Sequence, residues 1–159
     1  MTTRIAVIGA TGYTALELLK LLARHPDAEV VIATSRQEDK LYLQDVHPSL
    51  KNSFDLALTQ LDVETIGSEV DFAFCCLPHA ASASTVRGLM DHGVKVVDFS
   101  ADYRLNDVAV YEKWYGVEHP DSERLGSVPY GLPELYRDEI REAKLVANPG
   151  CYPSSAILA

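Results

Sequence analysis

The stretch RIAVIGATGYTA at residues 4–15 decides the fold of this chain. Arg4–Ile8 is a short apolar run that predicts a buried strand, and Tyr13–Arg24 carries leucines on one side that predict a helix. Between them, Gly9 and Gly12 belong to the pattern G-x-x-G-x-x-A, in which the first glycine makes a tight turn and the second lets the backbone approach a bound group. A strand, this turn and a helix in that order predict a dinucleotide-binding unit.

The glycine turn supplies the predicted contacts to the pyrophosphate of the dinucleotide. The first amides of a helix have no partner inside it, and the positive end of the helix dipole favours an anion. The residues predicted to bind the cofactor here are Gly9, Thr11, Gly12, Tyr13 and Thr14. The alternative is a turn that only joins the strand to the helix, since glycine patterns of this kind also occur without a ligand.

The rest of the chain alternates short apolar runs with helix-like stretches. Predicted strands follow at Ala28–Thr34, Phe54–Leu61, Asp71–Cys76, Lys95–Phe99 and Leu145–Ala147. Predicted helices cover Ala80–His92, a short stretch around Ala109–Tyr115, and Leu135–Ala143, whereas Arg36–Leu50 is polar and irregular. Continuous apolar strands separated by helices indicate a sheet covered on both faces. The predicted fold is therefore α/β, a doubly wound, Rossmann-like, mostly parallel sheet.

The end of the second strand indicates which dinucleotide binds. An NAD site usually has Asp or Glu there, which binds the ribose 2′-hydroxyl. Here the strand runs into Ser35, Arg36 and Gln37, with no carboxylate among them, and a guanidinium is suited to a 2′-phosphate. These three residues are therefore predicted to bind NADP. In the alternative, Arg36 is a solvated loop residue that pairs with Glu38 or Asp39.

Composition and charge exclude several classes of function. With 159 residues the chain has room for one compact domain, and its net charge of −9 gives no electrostatic help to nucleic-acid binding. Three cysteines, two of them adjacent, form neither a disulfide framework nor a zinc motif, so no metal site is predicted. Without a targeting segment or an apolar run of membrane-spanning length, the expected location is the reducing cytoplasm.

Cys151 is the predicted nucleophile. It stands in the stretch NPGCYPSS at residues 148–155, after a strand and before an apolar helical start. Pro149 and Gly150 force a sharp turn, and Pro153 is tolerated in the first turn of a helix, so Cys151 is placed at a helix N-terminus. That position favours the thiolate, which is the reactive form. The alternative is a buried structural cysteine, the commoner fate of a free thiol.

The other two cysteines, Cys75 and Cys76, are predicted to be small core residues. They lead into the turn CLPH at residues 76–79, at the carboxyl end of a strand, where ligands bind in sheets of this type. Pro78 is therefore predicted to line the nicotinamide side of the cofactor site, and His79 either belongs to the turn alone or touches the cofactor.

Seven motifs, spread in order over the chain, resemble those of the N-acetyl-γ-glutamyl-phosphate reductases of arginine biosynthesis. They are GATGYT at residues 9–14, SRQ at 35–37, CLPH at 76–79, DFSADYRL at 98–105, WYG at 114–116, YGLPE at 130–134 and ANPGCYP at 147–153. The resemblance implies NADPH-dependent reduction of N-acetyl-γ-glutamyl phosphate, a small-molecule acyl phosphate, to its semialdehyde with release of phosphate. It also implies a thioester on Cys151, and it gives Ser100, Arg104 and Asn148 as substrate-binding residues.

Two residues of these motifs have alternative roles. Arg104 either clamps an anion of the substrate or forms an ion pair with Asp102 or Asp107. Glu134 either orients the site or stabilises the start of a helix, where acidic side chains are favoured.

The resemblance also implies a longer protein. Residues 1–147 are predicted to form the NADP-binding domain, and residues 148–159 the nucleophile turn and the start of the catalytic helix of a truncated substrate domain. The catalytic histidine and a substrate and dimerisation domain would then lie beyond residue 159. The full-length form is expected to be a homo-oligomer, and the chain alone to be weakly active or inactive.

Four other interpretations compete with this one. The first is the lysine-biosynthesis relative, which reduces a similar acyl phosphate carried on an acidic carrier protein. The second is aspartate-semialdehyde dehydrogenase, which the SADYRL and YGLPE motifs disfavour. The third is a truncated NADP-binding module without activity. The fourth is a structural fragment whose remainder is on another chain.

Overall fold

The central strands of the molecule are parallel, as the alternation of strands and helices predicts. The computed structural model describes residues 2–37 and 41–159, and its sheet has six strands within them. Their bounds are β1 Thr3–Ile8, β2 Ala28–Thr34, β3 Leu58–Thr59, β4 Phe72–Cys75, β5 Lys95–Asp98 and β6 Leu145–Ala147. Every pair is parallel and the order is β3-β2-β1-β4-β5-β6. This is the doubly wound, dinucleotide-binding order, so the predicted fold is confirmed.

Seven α-helices and two short 3₁₀ turns accompany these strands in the described ranges. The helices are α1 Tyr13–Leu22, α2 Leu43–Val46, α3 Val63–Glu69, α4 Ala83–Asp91, α5 Val108–Tyr115, α6 Pro133–Glu142 and α7 Cys151–Ile157, and the 3₁₀ turns are Pro48–Leu50 and Ser122–Arg124. None of the helices in this part of the chain is long and apolar enough to cross a membrane.

Three elements differ from the prediction. The strand expected over Phe54–Leu61 is only the two-residue β3, and part of the stretch expected to be irregular forms α2. The sequence analysis missed α3, although Asp62 caps it by accepting hydrogen bonds from the backbone N–H groups of Glu64 and Thr65. The helix predicted from Ala80 begins three residues later, because the chain first makes a turn that is described below.

Both faces of the sheet are covered, which explains the continuous apolar strands. Along β1, Ile5 and Val7 face a buried cluster with Leu19 of α1, whereas Ala6 and Ile8 face a second cluster with α3 and α4. Cys75 is fully buried in that second cluster, as predicted for a small core residue. Burial there raises the pKa of the Cys75 thiol well above its usual range.

The chain segment at residues 129–131 extends the sheet beyond β6. The N–H of Gly131 donates to the carbonyl of Ala147 at 2.8 Å, and the N–H of Ala147 donates to the carbonyl of Pro129 at 3.1 Å. A Cβ on Gly131 would lie 2.9 Å from Cγ1 of Val146 and 3.1 Å from the carbonyl oxygen of Ala147. The YGLPE motif therefore needs glycine at its second position so that it can pack against the strand that leads to Cys151.

Replacing Gly131 by Ala should destabilise the chain, because its methyl group meets backbone and a stiff β-branched side chain. We expect Gly131→Ala to lower the free energy of unfolding by about 1–3 kcal/mol, measured by urea denaturation. Gly12→Ala is the matched control, since a Cβ there has its nearest neighbour at 4.0 Å. Equal stability of the two variants would contradict the close approach at Gly131.

Candidate functional site

The glycine turn after β1 is built so that no side chain fits at Gly9. Its φ of +77° lies in the left-handed region, and a Cβ would lie 2.7 Å from the carbonyl oxygen of Cys76. The N–H groups of Gly9 and Ala10 donate to Thr34 at the end of β2, to its Oγ1 at 3.1 Å and its carbonyl at 2.9 Å. The turn is thus hydrogen-bonded to the end of β2 and packed closely against Cys76, which follows β4.

The N-terminus of α1 offers an open cradle for an anion. Gly12 is the N-cap, in an extended conformation, and no side chain caps the helix. The hydrogen bond from the N–H of Leu16 to the carbonyl of Gly12 closes the first turn, which leaves the N–H groups of residues 13–15 without partners inside the helix. A Cβ on Gly12 would point into this open space. Thr11 is half-buried, whereas Tyr13 and Thr14 are exposed. These features fit the pyrophosphate of a dinucleotide.

The turn after β2 presents Arg36 to solvent. Ser35 is buried, its N–H donates to the carbonyl of Thr59 at 2.9 Å, and its Oγ accepts a hydrogen bond from the N–H of Gln37 at 2.8 Å. This small turn leaves the side chains of Arg36 and Gln37 exposed. The alternative pairing of Arg36 with Glu38 or Asp39 lies outside the described residues.

The CLPH turn runs beside the glycine turn. The N–H of Cys76 donates to the carbonyl of Ile8 at 2.8 Å, and burial raises the pKa of the Cys76 thiol to about 12. Pro78 and His79 are exposed at the carboxyl end of β4, and the His79 ring lies 6.0 Å from the ring of Tyr115. The structure therefore places Pro78 on the edge of the sheet where the prediction needs it.

A cluster of buried polar side chains lies beneath these turns. Asp98, at the end of β5, accepts hydrogen bonds from the Oγ of Ser82 at 2.6 Å and from both the Oγ and the N–H of Ser100. Burial raises the pKa of the Asp98 carboxyl, although the two serines act in the opposite direction. Ser100 is only 1% exposed, so a substrate contact through its hydroxyl would require this loop to open.

Arg104 joins this cluster to the turn before Cys151. Its Nε donates to the carbonyl of Asn148 at 2.8 Å, and its Nη2 donates to the carbonyl of Phe99 at 2.8 Å. Its Nη1 would lie 3.1 Å from a Cβ on Gly150. Among the described residues, no carboxylate pairs with Arg104, so the predicted alternative of an ion pair with a nearby aspartate is wrong.

Arg104 also borders a cavity with a volume of about 770 Å³. The cavity lies between α6 and the loop at residues 126–130, and Tyr130 and Lys144 are on its wall together with Arg104. A positive charge therefore faces both this cavity and the turn before Cys151.

Cys151 is the first residue of α7 and is exposed, unlike Cys75 and Cys76. Its N-cap, Gly150, is extended, and the N–H of Asn148 donates to the backbone carbonyl of Asp98 at 2.8 Å. The chain thus reaches Cys151 from β6 through a turn that β5 and Arg104 hold. An exposed thiol in this position can attack an electrophile.

The chain resembles known proteins over most of its length. The family model described as semialdehyde dehydrogenase, NAD binding domain, matches residues 4–143.

The chain belongs to the semialdehyde dehydrogenase NAD-binding domain family.

The relatives that the chain matches are reductases by name. The chain is 53% identical to an N-acetyl-γ-glutamyl-phosphate reductase of Rhodopirellula baltica, over 98% of this chain and 45% of that protein. It is 47% identical to a protein of Cenarchaeum symbiosum named for phosphate reductase activity on LysW-linked L-2-aminoadipate and L-glutamate, with the same coverage. The resemblance drawn from the seven motifs is confirmed, and the chain spans about half the length of these relatives.

Solved structures confirm the fold at lower identity. Aspartate semialdehyde dehydrogenase II of Vibrio cholerae, complexed with ASA, matches with a TM-score of 0.67 at 17% identity, over 99% of this chain and 45% of that chain. Aspartate semialdehyde dehydrogenase of Candida albicans, solved with NADP, matches with a TM-score of 0.65 at 15% identity, over 96% of this chain and 44% of that one.

The buried carboxyl of Asp98 should give stability a measurable pH dependence. Because its pKa is raised in the folded state, ionised Asp98 opposes folding above that raised value, and the opposition fades as the pH falls toward the ordinary value of 3.8. We expect the free energy of unfolding of the wild type, relative to Asp98→Asn, to rise as the pH is lowered from neutral toward the ordinary value of 3.8. Asp138→Asn, at a side chain that is 90% exposed, is the control. If the difference in unfolding free energy between the wild type and Asp98→Asn stays constant with pH, the raised pKa of Asp98 is contradicted.

Proposed function

We propose that this chain is the cofactor-binding and nucleophile-bearing part of an NADP-dependent N-acetyl-γ-glutamyl-phosphate reductase. The observation that carries the proposal is the exposed Cys151 at the start of α7, on the same carboxyl edge of the sheet as the open cradle at Gly12. Because all strands are parallel, the loops that follow them meet at one edge, where a cofactor and a thiol can act on one substrate.

NADP is the proposed form of the cofactor. The open N-terminus of α1 would hold the pyrophosphate, through the amides of Gly12, Tyr13 and Thr14. At the end of β2, the exposed Arg36 offers a guanidinium where an NAD site would have a carboxylate. Bound there, NADPH supplies a hydride.

Cys151 carries the covalent chemistry in this proposal. Its Sγ attacks the acyl carbon of the substrate and a C–S bond forms, while the bond from that carbon to the phosphate oxygen breaks and inorganic phosphate leaves with the electron pair. A hydride supplied to the thioester carbon would then let the Cys151 sulfur leave as thiolate and release the semialdehyde. Arg104, whose Nη1 lies beside Gly150, would hold the phosphate or carboxylate of the substrate, and Asn148 would line the same turn.

The division of the chain follows from these roles. Residues 1–147 would form the cofactor domain, and residues 148–159 the nucleophile turn and the first turns of the catalytic helix. The relatives are about twice as long, and we propose that the general base and the surfaces of a cytoplasmic homo-oligomer belong to the part that they have in addition.

The second candidate is the carrier-protein-linked reductase of lysine biosynthesis, because one relative with 47% identity has such a name. The higher identity, 53%, is to a relative named N-acetyl-γ-glutamyl-phosphate reductase, and this favours the first candidate.

Cofactor binding can be tested by titrating the 159-residue chain with NADP and with NAD in a calorimeter. We expect tighter binding of NADP, a loss of most of this preference in Arg36→Ala, and weaker binding of both dinucleotides in Gly12→Ala, whose methyl group occupies the cradle. Lys20→Ala, on the exposed side of α1, is a charge-matched control for Arg36→Ala. Equal affinity of the wild type for NADP and NAD would contradict the role of Arg36, and no binding by a folded chain would contradict the cofactor site.

The nucleophile can be tested without the rest of the catalytic machinery. We expect the chain to form an acyl adduct when it is mixed with N-acetyl-γ-glutamyl phosphate, visible by intact mass spectrometry and removed by hydroxylamine. The adduct should be absent in Cys151→Ala and retained in Cys76→Ser, because Cys76 is largely enclosed and its thiol is not ionised near neutral pH. An adduct that persists in Cys151→Ala would assign the chemistry to another residue.

A further inference from the structure

Ala80 has an unusual backbone conformation at the carboxyl edge of the sheet. Its φ is +61°, and within the described ranges it is the one residue other than glycine with a positive φ. An L-residue in the left-handed region costs about 1–2 kcal/mol relative to glycine, so something nearby must hold it there. Ala80 follows the CLPH turn directly and lies shortly before the first residue of α4.

A buried carboxylate holds this conformation. Asp102 is fully buried and accepts hydrogen bonds from the N–H of Ala80 at 2.7 Å, of Ser82 at 3.1 Å and of Ala83 at 3.0 Å. The hydroxyl of Tyr111 donates to the same carboxylate at 3.1 Å. Three amides within four residues can point at one carboxylate only if the chain curls around it, and the left-handed turn at Ala80 provides that curl. Hydrogen bonds to an ionised carboxylate are strong enough to offset the strain.

The other end of the turn is fixed to the glycine turn of the cofactor site. The N–H of Cys76 donates to the carbonyl of Ile8, and a Cβ on Gly9 would contact both Cys76 and Leu77. The segment from Leu77 to His79 is thus held at both ends, by the hydrogen bond of Cys76 to Ile8 before it and by the hydrogen bond of Ala80 to Asp102 after it. The placement of Pro78 beside the dinucleotide depends on both ends.

We infer that Asp102 is a positioning residue of the cofactor site, which holds Ala80 in its left-handed conformation and thereby sets the CLPH turn against the bound dinucleotide. This inference rests on the proposed NADP site. It gives a function to a buried carboxylate that accepts hydrogen bonds from three backbone amides and the Tyr111 hydroxyl, and it explains the strained conformation of Ala80 by the shape of the site.

A double-mutant cycle tests the inference by measuring NADP affinity in a calorimeter. Asp102→Asn puts an NH₂ group in place of one carboxylate oxygen. We expect it at Oδ1, where the Tyr111 hydroxyl can accept from it, and not at Oδ2, which accepts from the amides of Ser82 and Ala83. The N–H of Ala80 then loses its acceptor, and Ala80 is released from its strained conformation. We expect this change to weaken NADP binding about tenfold when residue 80 is Ala. In the Ala80→Gly background, where the left-handed conformation carries no penalty, the same change should weaken binding less than about twofold. Ala81→Gly is the matched background, and it should leave the tenfold effect in place.

The cycle separates positioning from plain structural support. A carboxylate that only stabilises the fold would have the same effect in the wild-type, Ala80→Gly and Ala81→Gly backgrounds, and that result would overturn the inference. If Asp102→Asn does not fold, Ala80→Val is the second variant, since Ala80 is exposed and has room for the larger side chain. Val strongly disfavours a positive φ, so we expect it to weaken NADP binding more than Ala81→Val does. Equal effects of the two valines would overturn the inference as well.

Amide exchange keeps this test separate from the proposed function. The N–H of Ala80 should exchange slowly in the wild-type chain and rapidly in Asp102→Asn, whether or not NADP binds. Slow exchange together with no NADP binding by the wild type would contradict the proposed function but not the role of Asp102 in the turn. Rapid exchange at Ala80 in the wild type would contradict that role directly.

Discussion

The position of β1 in the middle of a parallel sheet is the constraint on which the rest of the molecule depends. It pairs with β2 on one side and with β4 on the other, and Ile5–Ile8 are buried. The helices that follow β1 and β4 pack on opposite faces of the sheet, so the chain diverges after these two strands, at the switch point where ligands bind in such sheets. At this point a Cβ on Gly9 would lie 2.7 Å from the carbonyl oxygen of Cys76, so the two turns are in close contact.

The segment at residues 98–104 links the turn after β4 to the turn before Cys151. It leaves β5, which lies between β4 and β6, and so it can reach the turns that follow both neighbours. The Asp102 carboxylate accepts hydrogen bonds from backbone amides of the turn after β4. After β6, the carbonyl of Asn148 accepts a hydrogen bond from Arg104, and the N–H of Asn148 donates to the carbonyl of Asp98. In the described part of the chain, every buried polar side-chain atom has a hydrogen-bond partner. A buried network that is fully satisfied favours a single arrangement, which a site with two separate turns requires.

The sequence predicts those features whose causes are local. The strand, glycine turn and helix over residues 4–22 depend on neighbouring residues, and the turn at residues 148–150 depends on its own proline and glycine. The helix α3 was missed because seven residues carry little periodicity, although its Asp62 cap is visible in the sequence. The roles of Ser100 and Asp102 depend instead on how the folded chain surrounds them. Their motif suggests residues that line a site, but Asp102 binds amides about twenty residues away along the chain, and no pattern along the chain encodes that contact.

An acidic protein can still bind anions at this edge, because the relevant charges act at short range. A net charge of −9 opposes the approach of a phosphate, but at physiological salt such repulsion is screened beyond about 8 Å. Within that distance, nearby hydrogen-bond donors and positive charges determine whether an anion binds. Arg104 bonds to two backbone carbonyls, which orient its guanidinium without neutralising it. A carboxylate in the same place would have cancelled the charge. The turn before Cys151 therefore keeps a full positive charge beside it, which favours the binding of an anionic group there.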